Sequence, residues 1–376
     1  MSADIRIVAV RTALVSLPLE RTLKTSIHEI SSVCCLLVTL ETNTGLVGEG
    51  YSFCFDARRL AAISQFTQTL SPIVVGQDPH NVRRFWADFM RGCNFYGQGG
   101  ISVLAYNAID IACWDLIGKL AERPLYQLFG AFRDRVPVYA SAGLWLSSSQ
   151  SELCAEAQGF IQQGFKAMKM RLGSPDWRQD VARVEAVRAT IGPDITLMAD
   201  ANQGLNGTKA LRLGKALEPF GLEWFEEPVP TWDDDAGAML VRKLDMAVAS
   251  GETEYTSQGI RRMARHEAAT VFMPDLQRMG GYTEMMNAVR YLGACDLAVS
   301  PHIFTEHSLH IVAAAGNATW CEHMPWYAPL FKQKMAIEAD GMVSVPDRPG
   351  VGFTFDWDNI EQFRISSADL QHQDAQ

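Results

Sequence analysis

Apolar positions recur with two different rhythms along the chain. Up to about residue 130, the apolar, β-branched runs Ile5–Val15 and Cys34–Leu40 read as strands, and Asn43-Thr44-Gly45 reads as a turn into Leu46–Gly50. Ile101, Leu104, Ala105, Ala108, Ile109, Ala112 and Leu116 then recur at helical spacing and give one apolar face. Gly130 and Pro137 bracket a change of texture. Beyond it, eight short apolar runs follow: Val136–Ala140, Ala167–Leu172, Ile195–Ala199, Trp224–Phe225, Ala247–Ser250, Val271–Met273, Leu297–Val299 and Thr319–Cys321. Amphipathic segments lie between them, as at Asp180–Thr190, Lys209–Leu217, Ile260–His266 and Thr283–Leu292. Strand and helix alternating eight times predict an α/β fold, a (β/α)₈ barrel of parallel strands. The division this implies is 1–129 for a first α+β unit and 130–325 for the barrel. Residues 326–376, too few to fold alone, are expected to return to the first unit.

Composition narrows the setting. The 376 residues carry 33 Lys+Arg against 43 Asp+Glu, a net charge of −10, which excludes a general nucleic-acid binder and offers no attraction to an anionic membrane surface. No apolar run near the N-terminus approaches the ~20 residues of a membrane-spanning helix, and Met1–Arg6 lacks the pattern of a signal peptide. The eight cysteines form no CxxC pair, so reduced thiols in a cytoplasmic protein are expected.

In a barrel of this kind the chemistry lies at the C-terminal ends of the strands. The polar residues that close the apolar runs are Lys169 and Arg171, Asp200, Glu226, Glu252, Asp275, His302 and Glu322. Asp200, Glu226 and Glu252 are spaced 26 residues apart, one strand–helix unit each. Any one of them alone is an ordinary solvent-facing strand end. Three at equivalent depth on adjacent strands repel one another and call for a cation, and an all-oxygen set suits Mg²⁺.

Several segments carry a resemblance: Leu197–Gly204 (LMADANQG), Trp224–Pro228 (WFEEP), Gly251-Glu252-Thr253, Pro274-Asp275 and Ser300-Pro301-His302. With the helix Ala105–Asp115 and the linker Pro124–Gly130, they resemble the enolase superfamily, mandelate racemase subgroup, over nearly the whole chain. The resemblance implies a modified TIM barrel capped by an α+β domain from both ends of the chain. It also implies Mg²⁺ on Asp200, Glu226 and Glu252, and removal of a proton α to a carboxylate. Glu322 would be a neutral acid on the far carboxylate oxygen, and His302 the acid/base oriented by Asp275. A His base beside Mg²⁺ is the general pattern of that superfamily.

One position departs from the family pattern. Strand two commonly reads Lys-x-Lys, with the second lysine as a base; here it is Lys169-Met170-Arg171. Arginine stays protonated in proteins, so a two-base racemase gives way to dehydration of a sugar acid to its 2-keto-3-deoxy product. Lys169 would bind the substrate carboxylate or act as a second base, and Arg171 would lie beside it or serve as a barrel-mouth salt bridge. Arg21, Lys24, Ser26 and His28 fall where this family covers its substrate; Phe53, Phe55, Trp145 and Trp326 could wall the pocket, and Asn202 would contact the ligand. His307 and His310, three apart, are expected on a helix surface or a subunit contact. The alternatives are a racemase or epimerase using Lys169, a less fitting cycloisomerase, and a catalytically silent metal-binding homologue. A small carboxylate substrate and a homo-oligomer complete what the resemblance implies.

Overall fold

The structure, a computed structural model, describes residues 4–366; the last ten residues of the expected returning segment lie outside it. Strands β1 (Ile7–Lys24), β2 (Glu29–Thr42) and β3 (Val47–Cys54) form an antiparallel sheet in that order. The run Cys34–Val38 is apolar throughout because β2 is buried there on both faces. Cys34, Leu36, Val38 and Leu40 face the helices α1 (Ala57–Val74), α2 (Val82–Gly92) and α3 (Ile101–Leu120), while Val33, Cys35 and Leu37 join the core shared with the barrel. Gly48 and Gly50 let α3 approach β3: a Cβ there would stand 2.2 Å from the Ala112 carbonyl and 2.3 Å from that of Ala108. Among the described residues α3 is long and apolar enough to cross a membrane, and it is mostly buried as the central helix of this unit.

The short helix α4 (Leu125–Phe129) leads to β4 (Arg135–Ala140). Strands β5 (Ala167–Arg171), β6 (Thr196–Asp200), β7 (Trp224–Glu226), β8 (Ala247–Ser250), β9 (Val271–Phe272), β10 (Ala298–Val299) and β11 (Cys321–His323) follow, all parallel. The ladder runs from β10 down to β4 and on to β11, and a Val299–Ala318 bridge closes it. Between the strands lie α5 (Gln150–Gln162), α6 (Trp177–Ile191), α7 (Gly207–Leu217), α8 (Asp234–Lys243), α9 (Thr256–Arg265), α10 (Leu276–Met279), α11 (Tyr282–Ala294) and α12 (Thr305–Ala314). The fold is therefore a modified (β/α)₈ barrel with an α+β cap.

Alternation sorts the strand side chains. In β5, Met168 and Met170 pack outward against the helices, whereas Ala167 joins Tyr139, Met198, Trp224, Ala249, Val271 and Met273 in the apolar floor of the barrel. Lys169, Arg171, Asp200 and Glu226 continue those inward rows above the floor.

Two expectations need correction. The eighth strand is Cys321–His323 rather than Thr319–Cys321, because residues 317–319 are taken up in the closing contact with Val299. His307 and His310 are buried, not surface residues, since α12 is enclosed between the barrel and the chain around Tyr126 and Val351. His310 Nε2 meets the Val351 carbonyl at 2.8 Å, and burial lowers its pKa to about 4.

The segment after β11 touches both units. β12 (Met342–Ser344) pairs antiparallel with β4, while Arg364 and Ile365 reach Val15 and Leu14 of β1.

Candidate active site

Four inward-facing groups meet above the barrel floor. Lys169 Nζ lies 2.5 Å from Glu226 Oε1, 3.1 Å from Glu322 Oε1 and 3.7 Å from Asp200 Oδ2. Burial alone would discharge this ammonium, but Glu226, Glu322 and Asp200 outweigh it and hold the pKa above the usual lysine range. Burial pushes the Glu226 carboxyl up, against the pull of Lys169.

Arg171 is buried and fully engaged on two sides. Its guanidinium donates to the Ser141 carbonyl at 2.9 Å and to Ser141 Oγ at 3.0 Å, and stacks 4.6 Å from the Trp145 ring centroid. Nε, 3.7 Å from Asp200, has no hydrogen-bond partner. Ser141 Oγ in turn donates to Glu322 Oε1 at 2.5 Å, and Glu322 Oε2 accepts from the Ile303 amide at 3.0 Å. Burial opposes ionisation of Glu322, yet Lys169, His302 and Arg171 together hold its pKa well below the carboxylate range.

Across the barrel, His302 Nδ1 stands 2.7 Å from Asp275 Oδ2, and Nε2 lies 3.4 Å from Glu252 Oε2. Burial would lower the imidazole pKa, but Glu252 and Asp275 raise it to about 9. Asp275 also caps α10, accepting from the Arg278 amide, and Arg278 holds the Glu252 carbonyl at 2.9 Å.

Lys169, Arg171, Asp200, Glu252, His302 and Glu322 line one cavity at the barrel mouth, with His28, Phe53, Phe55, Trp145, Asn202 and Trp326 in its wall. Glu226 and Asp275 are buried outside that lining, and Glu226 Oε2 accepts from Trp224 Nε1 at 2.8 Å. The Trp145 and Trp326 rings stack with centroids 6.1 Å apart. Ser26 pins the cap loop over the mouth through its hydroxyl, which donates to the Ala201 carbonyl at 2.7 Å. Arg21 and Lys24, expected at the substrate, are not brought to the cavity. Arg21 pairs with Glu156 and Lys24 with Glu29 at 3.0 Å, and both side chains are about half exposed.

The structure adds Glu227 and Gln203, which the strand-end reading passed over. Strict alternation would turn Glu227 away from Glu226, but its φ of +38° breaks the alternation, and its side chain lines the cavity. There it accepts from Gln203 Nε2 at 2.9 Å, and burial with Glu252 and Asp200 nearby raises its pKa well above the carboxylate range. The acid doublet in WFEEP was the available signal. Asn202, Gln203, Ile303 and Phe304 share the left-handed backbone, which non-glycine residues adopt at a cost of about 1–3 kcal/mol and which clusters at functional sites.

The donor chemistry suits a hard cation. Asp200, Glu226, Glu227 and Glu252 stand on neighbouring strand ends, and the buried Asn202 Oδ1 beside them has no partner. Among the described residues no three His, Cys, Asp or Glu side chains already surround a common metal position. Lys169 supplies the positive charge between Glu226 and Asp200.

A capped barrel with this acid, lysine and histidine–aspartate arrangement at its mouth defines an enolase-type enzyme. The chain belongs to the mandelate racemase/muconate lactonizing enzyme family of that superfamily: residues 5–130 match "Mandelate racemase / muconate lactonizing enzyme, N-terminal domain" and residues 152–359 match "Enolase C-terminal domain-like". It is 31% identical over 357 residues to the 3,6-anhydro-alpha-L-galactonate cycloisomerase of Streptomyces coelicolor, covering 95% of this chain and 99% of that one. It is 29% identical over 325 residues to the L-talarate/galactarate dehydratase of Salmonella typhimurium, covering 86% of this chain and 81% of that one. A crystal structure of a racemase from Streptomyces coelicolor with bound magnesium superimposes with a TM-score of 0.91 at 32% identity, covering 96% of this chain and all of that one.

Proposed function

We propose that the protein catalyses Mg²⁺-dependent abstraction of the proton α to a carboxylate, and that the reaction is dehydration of a sugar acid to a 2-keto-3-deoxy acid. Asp200, Glu226 and Glu252 would hold the cation. Bound there, it supplies the Lewis-acid charge that a developing enediolate requires.

The observation that carries the reading is the inequality of the two sides of the cavity. His302 is oriented through Nδ1 by Asp275, and its Nε2 faces Glu252 at 3.4 Å in the cavity lining. With the cation on Glu252, Nε2 would turn to a bound substrate and exchange a proton with it. On the other side an arginine side chain offers no base, and Arg171 is clamped between Ser141 and Trp145. Glu252 is the largest influence holding the imidazole protonated, and engaging Glu252 with the cation would weaken that hold. One imidazole would then take the α-proton and return a proton to the departing β-hydroxyl. Lys169 and Arg171 would receive the substrate carboxylate, and Glu322 would brace its far oxygen only once it carries a proton. The aromatic wall of Phe53, Trp145 and Trp326 excludes water, and His28 and Asn202 meet the hydroxyl groups. In the same reading, residues 1–129 and the segment from 326 form the cap, and residues 130–325 the catalytic barrel.

The presence of Lys169 in the cavity wall favours a second reading, racemisation or cycloisomerisation with lysine as the other base. The cycloisomerase and racemase relatives, which the strand-end motifs alone ranked low, give it weight. A panel of mono- and diacid sugars incubated with Mg²⁺ separates the two. Keto-deoxy product supports dehydration, whereas α-proton exchange or epimer without water loss supports the second reading. No Mg²⁺-dependent reaction with any member contradicts both.

A further inference from the structure

The edge strand of the cap is tied to the barrel by one side chain. In an antiparallel sheet the residues of an edge strand aim alternate N–H and C=O groups away from their partner, and these need a partner when buried. At Phe53 of β3 both go to Gln277. The Phe53 amide donates to Gln277 Oε1 at 2.6 Å, and Gln277 Nε2 donates to the Phe53 carbonyl at 2.9 Å. Both residues are at most 5% exposed, so the side-chain amide stands in for a neighbouring strand.

Gln277 sits on α10, two residues after the aspartate that orients His302. Asp275 caps α10 and holds His302 Nδ1 at 2.7 Å, and the His302 amide donates to the Pro274 carbonyl at 3.2 Å. The far end of α10 is also fixed against the cap. A Cβ on Gly280 would come within 2.5 Å of the Trp86 ring, and one on Gly281 within 2.4 Å of Asp110. The Phe53 ring, which lines the cavity, meets Phe55 and Phe304 with centroids 5.5 Å apart in each case.

We infer that Gln277 is a positioning residue that links the substrate-facing edge of the cap to the Asp275–His302 pair, so that the aromatic wall and the acid/base move as one body. Its place in catalysis rests on the assignment of His302 as acid/base. The link itself is a property of the fold.

Gln277→Met keeps the side-chain length and removes both hydrogen bonds. Gln277→Asn, one methylene too short to reach both atoms of Phe53, serves if the methionine variant does not fold. Backbone amide exchange in the full chain without substrate reads the link directly. The expected result is that the Phe53 and His302 amides both exchange at least about tenfold faster, because α10 loses its tie to β3. Acceleration at Phe53 alone, with His302 unchanged, overturns the proposal. In turnover of a sugar acid accepted by the wild type, kcat per folded enzyme should fall about ten- to hundredfold, the scale of a small misplacement of a catalytic group. A variant with lowered thermal stability and unchanged kcat also overturns it. If the wild type converts no sugar acid, the functional assignment fails, and the exchange result still decides the link.

Discussion

The barrel mouth and the seam between cap and barrel both bury carboxylates, but they satisfy them differently. At the seam each acid is filled by donors of the fold itself. Asp110 accepts from the amide and hydroxyl of Thr283, at 3.0 and 2.5 Å. Asp115 accepts from the amides of Glu49 and Val351, both at 3.0 Å, and pairs with Lys119. Glu49 accepts from the Phe355 amide at 3.0 Å. At the mouth, Asp200, Glu226 and Glu322 gather around Lys169, Glu252 meets His302, and Asp200, Glu227, Glu252 and Glu322 line a cavity. Asp200 and Glu322 also accept backbone amides, from Asn202 and Ile303, so an amide partner alone does not mark a joint. What sets the mouth apart is that its acids share buried cations with one another and line a cavity.

The contrast is open to test at both ends. The largest effect is expected from Asp200→Asn. Mg²⁺ should raise the melting temperature of the wild type and leave that of the variant unchanged, while turnover falls by at least about a thousandfold. Equal stabilisation of both by Mg²⁺ would remove Asp200 from the cation site. Arg171→Lys comes next, since it restores the Lys-x-Lys pattern but cannot reproduce the clamp on Ser141 and Trp145. Dehydration should fall about tenfold, on the scale of one lost charged hydrogen bond, with α-proton exchange becoming measurable from the second face. Unchanged dehydration would leave Arg171 without a role in holding the substrate.

The smallest effect belongs to the seam. Burial raises the pKa of Asp110 to about 7, far above its value in an unfolded chain. A raised acid favours the fold while protonated. That contribution is complete below about pH 4 and is lost as the pH climbs through about 7. Asp110→Asn should therefore flatten the decline in urea stability between pH 5.5 and 8, by on the order of 1 kcal/mol, and leave turnover unchanged. Parallel curves for variant and wild type would mean that Asp110 is ionised in the folded protein.

Much of the mouth was legible in the sequence because the barrel repeats. Each apolar run ends at the same depth, so the polar residue that closes it is a site candidate, and Asp200, Glu226, Glu252, Asp275, His302 and Glu322 follow from counting. Glu227 did not follow, because its place depends on a left-handed backbone that breaks strand alternation. The cap loop was harder still. Arg21 and Lys24 look suited to an anionic substrate, but nearer carboxylates, Glu156 and Glu29, hold them. An ion pair such as Arg21–Glu156, between segments 135 residues apart, leaves no periodic trace in a sequence. The same holds for the seam: nothing in the pattern of α3 announces that Asp110 meets Thr283, 173 residues later.

The central claim is that His302 moves the proton. The most direct measurement follows a sugar acid accepted by the wild type, in D₂O with Mg²⁺, using the wild type and His302→Asn side by side. The wild type is expected to release the 2-keto-3-deoxy acid. The variant, folded and still stabilised by Mg²⁺, should form product at least about a hundredfold more slowly. Full keto-acid formation by the variant would contradict the assignment and move the chemistry to Lys169.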